Sequence, residues 1–185
     1  MTQRKRFLFD ADEVLLDFHN ACFEILRKFN GRVLTAQDYL VWDFFVELTP
    51  EENAHVRGEV SKPGFCRHLK PLPGAQEAVT KIRELVDVFA LTSPWDSPTW
   101  VYERGESLKE HFGFAKKHVV QTSAKYLVGG DFFLDDNPDH VTHWAEEHPN
   151  GGAMLWHIPN TRQLGLNQFR VRSWDEVLDK VRNHL

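Results

Sequence analysis

The sequence predicts an α/β domain, a parallel sheet flanked by helices, with a small mainly helical segment inserted after the first strand. Three observations carry that prediction. From residue 75 onward, short apolar runs alternate with amphipathic stretches of helical period, the pattern of strands alternating with helices. Two of the apolar runs, Phe7-Leu-Phe9 and Phe132-Phe-Leu134, end directly in acids. A block of about 54 residues, 17–70, separates the first run from the regular alternation.

Taken in order, Arg6-Phe-Leu-Phe-Asp10 is a short apolar run of the kind found in a buried parallel strand. From Leu16 to Phe29 apolar residues fall at helical spacing, and Asn30-Gly31 stops them. A mixed segment from Ala36 to Leu48 holds Tyr39, Trp42, Phe44 and Phe45. Thr49 then caps a helix with Pro50 at its first position, running to about Val60 before Lys62-Pro63-Gly64 breaks it. Pro71-Leu-Pro-Gly74 is a dense turn.

Beyond it, Ala75 to Leu85 reads as a helix and Val86 to Leu91 as a strand ending at Thr92-Ser93-Pro94. Residues 97–112 read as a helix, Val119-Val120 as a short strand, and Asp131 to Leu134 as a strand leading into Asp135-Asp136. Gly129-Gly130 is a turn before that strand, not a phosphate loop. Asn137 to His148 is helical, Ala153 to Ile158 a strand, and Ser173-Trp-Asp-Glu176 a capping box opening the last helix.

Composition bounds the function. A chain of 185 residues is one domain of ordinary size, and 42% hydrophobic with 26% charged residues is globular. A net charge of −5 argues against a nucleic-acid polymer as partner, although one local site can still hold a small anion. No stretch approaches the roughly 18 apolar residues of a membrane span, and the basic start is followed by too short an apolar run for a signal peptide. Cys22 and Cys66 are too few for a disulfide framework and read as reduced, buried thiols, so the expected location is cytoplasmic. The unusual quantity is aromatic: 14 Phe, 6 Trp and 3 Tyr.

The chemistry concentrates at strand ends. Asp10 and Asp12 follow the first strand, and Asp135 and Asp136 end a later one. Either pair alone reads equally as turn-forming aspartates in a solvated loop. Both pairs at one sheet edge would repel unless a cation neutralised them, and oxygen-only ligands suit Mg²⁺. Thr92 and Ser93 end another apolar strand, where hydroxyls and free N–H groups can hold a phosphate. Lys125, ten residues before Asp135, can add a point charge. His140, His143 and His148 read as exposed helix residues, and Arg57, Arg67, His68 and Lys70 as a solvated basic face.

The order Asp-x-Asp, Thr/Ser, Lys, Asp-Asp resembles that of the haloacid dehalogenase superfamily of phosphohydrolases, across essentially the whole α/β portion. Within it the chain looks most like the 5′(3′)-deoxyribonucleotidases. That closer likeness rests on Asp10-Ala-Asp-Glu-Val-Leu-Leu-Asp-Phe18, Pro71-Leu-Pro-Gly-Ala75, Leu91-Thr-Ser-Pro94, Trp100 to Gly113, Gly130-Asp-Phe-Phe-Leu-Asp-Asp136 and Ser173-Trp-Asp-Glu-Val-Leu178. The resemblance implies a Rossmann-like core of residues 1–16 and 71–185 with a helical cap of residues 17–70.

It also implies an Mg²⁺-dependent phosphomonoester hydrolase working through an aspartyl-phosphate. In that reading Asp10 attacks phosphorus, Asp12 is the general acid and base, and Thr92, Ser93 and Lys125 hold the phosphoryl oxygens. Asp10, the backbone carbonyl of Asp12, Asp135 and Asp136 would hold the metal. Phe18 falls where the family stacks an aromatic ring on the base, and Trp42, Phe44 and Phe45 can complete that slot or simply form the core of the cap. The implied partner is a small phosphorylated substrate, a nucleoside monophosphate, acted on by a monomer or homodimer.

Two departures stand out. Position 13 is Glu where the family usually has Gly, and Asn137 stands where the animal nucleotidases carry Arg. The rival readings are a phosphatase of another small metabolite, such as a sugar phosphate, and a non-catalytic binding protein on the same fold.

Overall fold

The computed structural model of the chain describes residues 4–35, 37–39, 41–158 and 166–185. Its centre is a six-stranded parallel sheet in the order β3-β2-β1-β4-β5-β6. The strands are β1 (Arg6–Phe9), β2 (Asp87–Thr92), β3 (Val119–Gln121), β4 (Phe132–Asp135), β5 (Gly152–Trp156) and β6 (Arg170–Val171). Alternate side chains go to opposite faces, and both faces are buried. Phe7, Phe9 and Phe132 join the core on one side, with ring centroids of Phe7 and Phe9 4.1 Å apart. Leu8, Leu91, Phe133 and Trp144 form the core on the other. Double burial is why these strands read as unbroken apolar runs rather than alternating ones.

Helix α3 (Ala75–Leu85) leads into β2, and α4 (Trp100–Phe112), α5 (Pro138–Glu147) and α6 (Trp174–Arg182) follow β2, β4 and β6 in the chain. Two further helices, α1 (Phe18–Asn30) and α2 (Pro50–Val60), lie between β1 and α3. Asp17 caps α1, accepting from the Asn20 amide, and Gly31 ends it in the left-handed conformation with φ 79°, where a side chain would be strained. Buried Phe18, His19, Cys22, Phe23 and Leu26 share one face of α1. Thr49 and Glu52 make a reciprocal capping box on α2, with Pro50 at its first position.

The chain leaves the sheet side and returns to it along paired segments. Leu16 bridges Pro71, the Asp17 amide donates to Lys70 O at 2.8 Å, and the Leu72 amide to Leu15 O at 2.9 Å. Glu103 on α4 then accepts from the Gly64 and Arg67 amides at 2.7 and 3.2 Å, tying the segment after α2 down onto α4. Cys22 and Cys66 are both free and buried, and burial pushes the Cys66 thiol up to about 12.

Several boundaries differ from the sequence expectation. The helix expected from residue 97 starts at Trp100, because Ser97 turns back to accept from the Trp100 amide and donates its hydroxyl to Ser61 O. The strand expected at Ala153–Ile158 is Gly152–Trp156, and β6 was not anticipated, since two residues carry no periodicity. The capping box at Ser173 is only half formed. Ser173 Oγ accepts from the Glu176 amide, but the Glu176 carboxylate accepts from the amide of Arg172 instead. Ala36 and Leu40, within the expected mixed segment, lie outside the described residues.

Trp144 on α5 shows how tight the second core is. Its ring lies 5.3 Å from Phe133, its Nε1 donates to Val128 O at 3.0 Å, and it is fully buried. A Cβ at Gly151 would stand 2.6 Å from its Cζ3 and closer still to Cη2. Gly151→Ala should therefore cost about 1–3 kcal/mol through overpacking. The check is the chemical denaturation midpoint, and an unshifted midpoint would mean that the indole can move aside.

Candidate active site

Strand order 3-2-1-4-5-6 reverses direction between β1 and β4, and ligands of open α/β sheets lie outside the carboxyl ends of the strands at such a point. The pairing of Phe9 with Leu134 places Asp10 opposite Asp135, with the Asp10 amide donating to Leu134 O at 2.8 Å. Carboxylate oxygens of Asp10, Asp135 and Asp136 all lie within 4.8 Å of one another, and all three residues are buried. Lys125, 2% exposed, reaches between them, with Nζ 2.6 Å from Asp10 Oδ1 and 2.6 Å from Asp135 Oδ2.

One ammonium cannot satisfy three buried carboxylates. Burial, then the charge of Asp135, pushes Asp10 up to about 7 against the pull of Lys125. Burial and the neighbouring Asp135, Asp10 and Glu13 push Asp136 well above the usual range. Burial pushes Asp135 up as well, but Lys125 and His140 outweigh it and hold that carboxyl below its ordinary value. Lys125, despite its burial, is pushed up by Asp10 and Asp135. The cluster is a seat for positive charge, with hard oxygen donors only.

These acids form one wall of a cavity of about 240 Å³. Asp12 and Ser93 also face it. Thr92 is wholly enclosed at the end of β2, and among the described residues neither Thr92 Oγ1 nor Ser93 Oγ has a hydrogen-bond partner. Buried hydroxyls without partners are costly, so a ligand that accepts hydrogen bonds is favoured beside them. Asp12 points a different way from Asp10: both its oxygens lie 2.7 Å from Arg104 Nη2 on α4.

The opposite wall is aromatic. Phe18, Trp42, Phe44 and Phe45 all line the cavity, joined by Trp95 and Trp100. Phe18 packs edge-on against Trp100 at 6.4 Å and lies 5.9 Å from Trp95. Phe44 and Phe45 stack at 4.3 Å and are also core residues. Trp42 spans the two walls, donating Nε1 to Asp136 Oδ2 at 2.7 Å.

Glu13, the unusual residue of the first motif, adopts φ 57°, a left-handed conformation that costs a non-glycine residue about 1–2 kcal/mol. Its carboxylate offsets that cost. It is 8% exposed, accepts from the His19 amide in the first turn of α1 at 2.7 Å, and lies 3.2 Å from His19 Nδ1, which is 2.9 Å from Tyr39 Oη. An anion at a helix start is also favoured by the helix dipole. Asn137 caps α5, accepting from the Asp139 and His140 amides, and its own amide donates to Asp135 Oδ1.

Two sequence expectations are corrected here. His140 is not a free surface residue: it lines the cavity with Nδ1 3.3 Å from Asp135 Oδ2, because the Asn137 cap turns the first face of α5 toward the acids. His143 is exposed as expected, while His148 is partly covered, stacking 4.5 Å from Trp144. Arg57 belongs to no separate basic face. Its guanidinium lies 4.2 Å over Phe45 and 5.3 Å over Trp95 at the cavity wall, whereas Arg67 pairs with Glu110 at 2.5 Å. Sequence reasoning also passed over His19, Trp95, Trp100 and Arg104. Trp95 had a signal, since it follows Ser93-Pro94 directly; Arg104 had none, as its partner is 92 residues away.

The family described as "5' nucleotidase, deoxy (Pyrimidine), cytosolic type C protein" matches residues 4–184. A Staphylococcus aureus protein provisionally named a 5'(3')-deoxyribonucleotidase is 34% identical, over 94% of this chain and 93% of its own length. The human 5'(3')-deoxyribonucleotidase, cytosolic type, is 30% identical over 98% of this chain and 97% of its own. A haloacid dehalogenase-like family hydrolase of Streptococcus pneumoniae shares the fold at a TM-score of 0.62 and 16% identity, covering 97% of this chain and 99% of its own. With the motif acids gathered at the β1/β4 switch and a match that spans nearly every residue, the chain belongs to the cytosolic type C 5′-nucleotidase family, on the haloacid dehalogenase-like fold, and is a phosphatase of that class.

Proposed function

We propose that this protein hydrolyses nucleoside monophosphates through an aspartyl-phosphate on Asp10. The observation that carries the reading is a single cavity with a buried acid–lysine cluster on one wall and aromatic rings on the other. A phosphate ester of a nucleoside has the matching two ends. Residues 1–16 and 71–185 act as the catalytic unit, and residues 17–70 as a cap that supplies most of the aromatic wall.

In the first step an Asp10 carboxylate oxygen bonds to phosphorus as the ester P–O bond breaks, and the leaving oxygen takes a proton from Asp12. In the second, Asp12 takes a proton from water, whose oxygen bonds to phosphorus and releases the Asp10 carboxylate and inorganic phosphate. Ser93 and Thr92 hydroxyls and the Lys125 ammonium hold phosphoryl oxygens. Lys125 already bridges two acids, so it stays charged and fixed while the ester enters.

Asp10, Asp135 and Asp136, with the backbone carbonyl of Asp12, suit Mg²⁺: three mutually close, buried oxygen donors carry more negative charge than Lys125 offsets. Bound there, Mg²⁺ would neutralise charge on the transferring phosphoryl group. Phe18, Phe45 and Trp95 offer ring faces or edges to a base, and stacking tolerates any base because each has a π-face. Among the described residues no helix is long and apolar enough to cross a membrane.

Asp10→Asn should abolish turnover of a nucleoside monophosphate, and a variant retaining half the wild-type rate would remove Asp10 as nucleophile. Excess EDTA should stop hydrolysis and added Mg²⁺ restore it; full activity in the chelator would reject the metal assignment. Phe18→Ala should raise KM for nucleotides well above its effect on a small alkyl phosphate without a ring. Equal effects on both substrates would leave Phe18 as packing for Phe65 and Trp100 alone.

A further inference from the structure

Arg104 is the most unusual charged residue near the site. It is 0% exposed, on the inner face of α4, and is not among the cavity-lining side chains. A buried guanidinium is costly unless paired, and among the described residues the one carboxylate it pairs with is that of Asp12. Nη2 stands 2.7 Å from each Asp12 oxygen, while Nε and Nη1 have no hydrogen-bond partner among the described residues. The guanidinium plane is held from another side by Trp100, whose ring centre is 4.9 Å away. Asp12 itself keeps 27% of its side chain exposed, on the cavity side.

This arrangement differs from the pairing of Lys125. Lys125 joins two acids that are buried with it, and it faces the cavity. Arg104 stands behind one acid and, among the described residues, makes no ion pair with another. A charge buried at such cost behind a single half-open carboxylate does little for ligand binding directly. It fixes the direction in which that carboxylate presents its free lone pairs.

We infer that Arg104 is a positioning residue for proton transfer: it locks Asp12 facing the ester leaving oxygen and stabilises the negative charge that appears on Asp12 when its proton departs. The inference rests on the phosphomonoesterase reading and on Asp12 as its acid and base. In the first step the Asp10–phosphorus bond forms, the ester P–O bond breaks, and the electron pair left on oxygen takes the Asp12 proton. Asp12 is then a carboxylate held 2.7 Å from a fixed cation. In the second step the same carboxylate receives a proton from water, so both half-reactions return to the starting charge.

The test is how the effect of Arg104→Met depends on the leaving group. An alkoxide leaving group, as in a nucleoside monophosphate, needs the proton; 2,4-dinitrophenolate leaves without one. With the full chain and Mg²⁺ present, Arg104→Met should lower kcat/KM about 100-fold for a nucleoside monophosphate, chiefly in kcat, but less than about 5-fold for 2,4-dinitrophenyl phosphate. Arg104→Lys should recover part of the nucleotide rate, and it shows the same split, smaller, if the methionine variant does not fold. Equal losses on both esters would overturn the positioning role, since a distorted site slows either. Wild-type protein that hydrolyses neither ester would overturn the phosphatase reading along with it.

Discussion

The crowding of buried carboxylates at the β1/β4 switch is the constraint on which the rest of the structure depends. Asp10 and Asp135 are neighbours because Phe9 pairs with Leu134, and Asp136 follows at once. Bringing three acids out of water this close together is strongly unfavourable unless cations answer them. Lys125 supplies one positive charge from a short 3-10 turn before β4, and its bonds to Asp10 and Asp135 at 2.6 Å leave Asp136 to Trp42. Burial, and after it the remaining negative charge, pushes Asp10 and Asp136 up, and that charge makes the cluster suit a divalent metal.

The helices inserted after β1 are bound to this cluster by polar contacts as much as by apolar ones. From the inserted segment Trp42 reaches Asp136, and the start of α1 is held by Glu13 of the first motif; Arg104, on α4 rather than in that segment, holds Asp12. Glu13 replaces the freedom of a glycine with a strained left-handed backbone, and its carboxylate ties the first motif to His19 and Tyr39. The extra anion is thus bonded to the start of α1 while it still lines the cavity and adds to the negative charge felt by Asp136. Trp95 and Trp100, at the far side, come from the loop after β2 and the start of α4, so the aromatic wall has contributions from both parts of the chain.

Much of this was legible in the residues. Strands buried on both faces announce themselves as apolar runs, and the acids at the ends of two such runs needed only a parallel sheet to converge. Cap signals at Thr49-Pro50 and Asn30-Gly31 mark helix ends because their chemistry is local. The readings that needed correction lack local signals. His140 looks like any helix histidine until the Asn137 cap sets which face of α5 meets the acids. Arg57 looks like a solvated cation until Phe45 and Trp95 are brought beneath it. At Ser173 the box pattern was right in type but one residue out in partner, because Arg172 offered its amide first.

The sequence by itself determined the layered α/β architecture, the order of the motifs, and which acids, hydroxyls and lysine stand at the strand ends. Each depends on periodicity or on residues a few positions apart. Only the tertiary structure decided which way those groups face: Asp12 toward Arg104, Trp42 toward Asp136, Glu13 toward α1, and Phe18 into both core and cavity. The physical reason is range. Strand and helix preferences are set by near neighbours, whereas the direction of a buried charge is set by the partner that neutralises it, and for Asp12 that partner lies 92 residues along the chain.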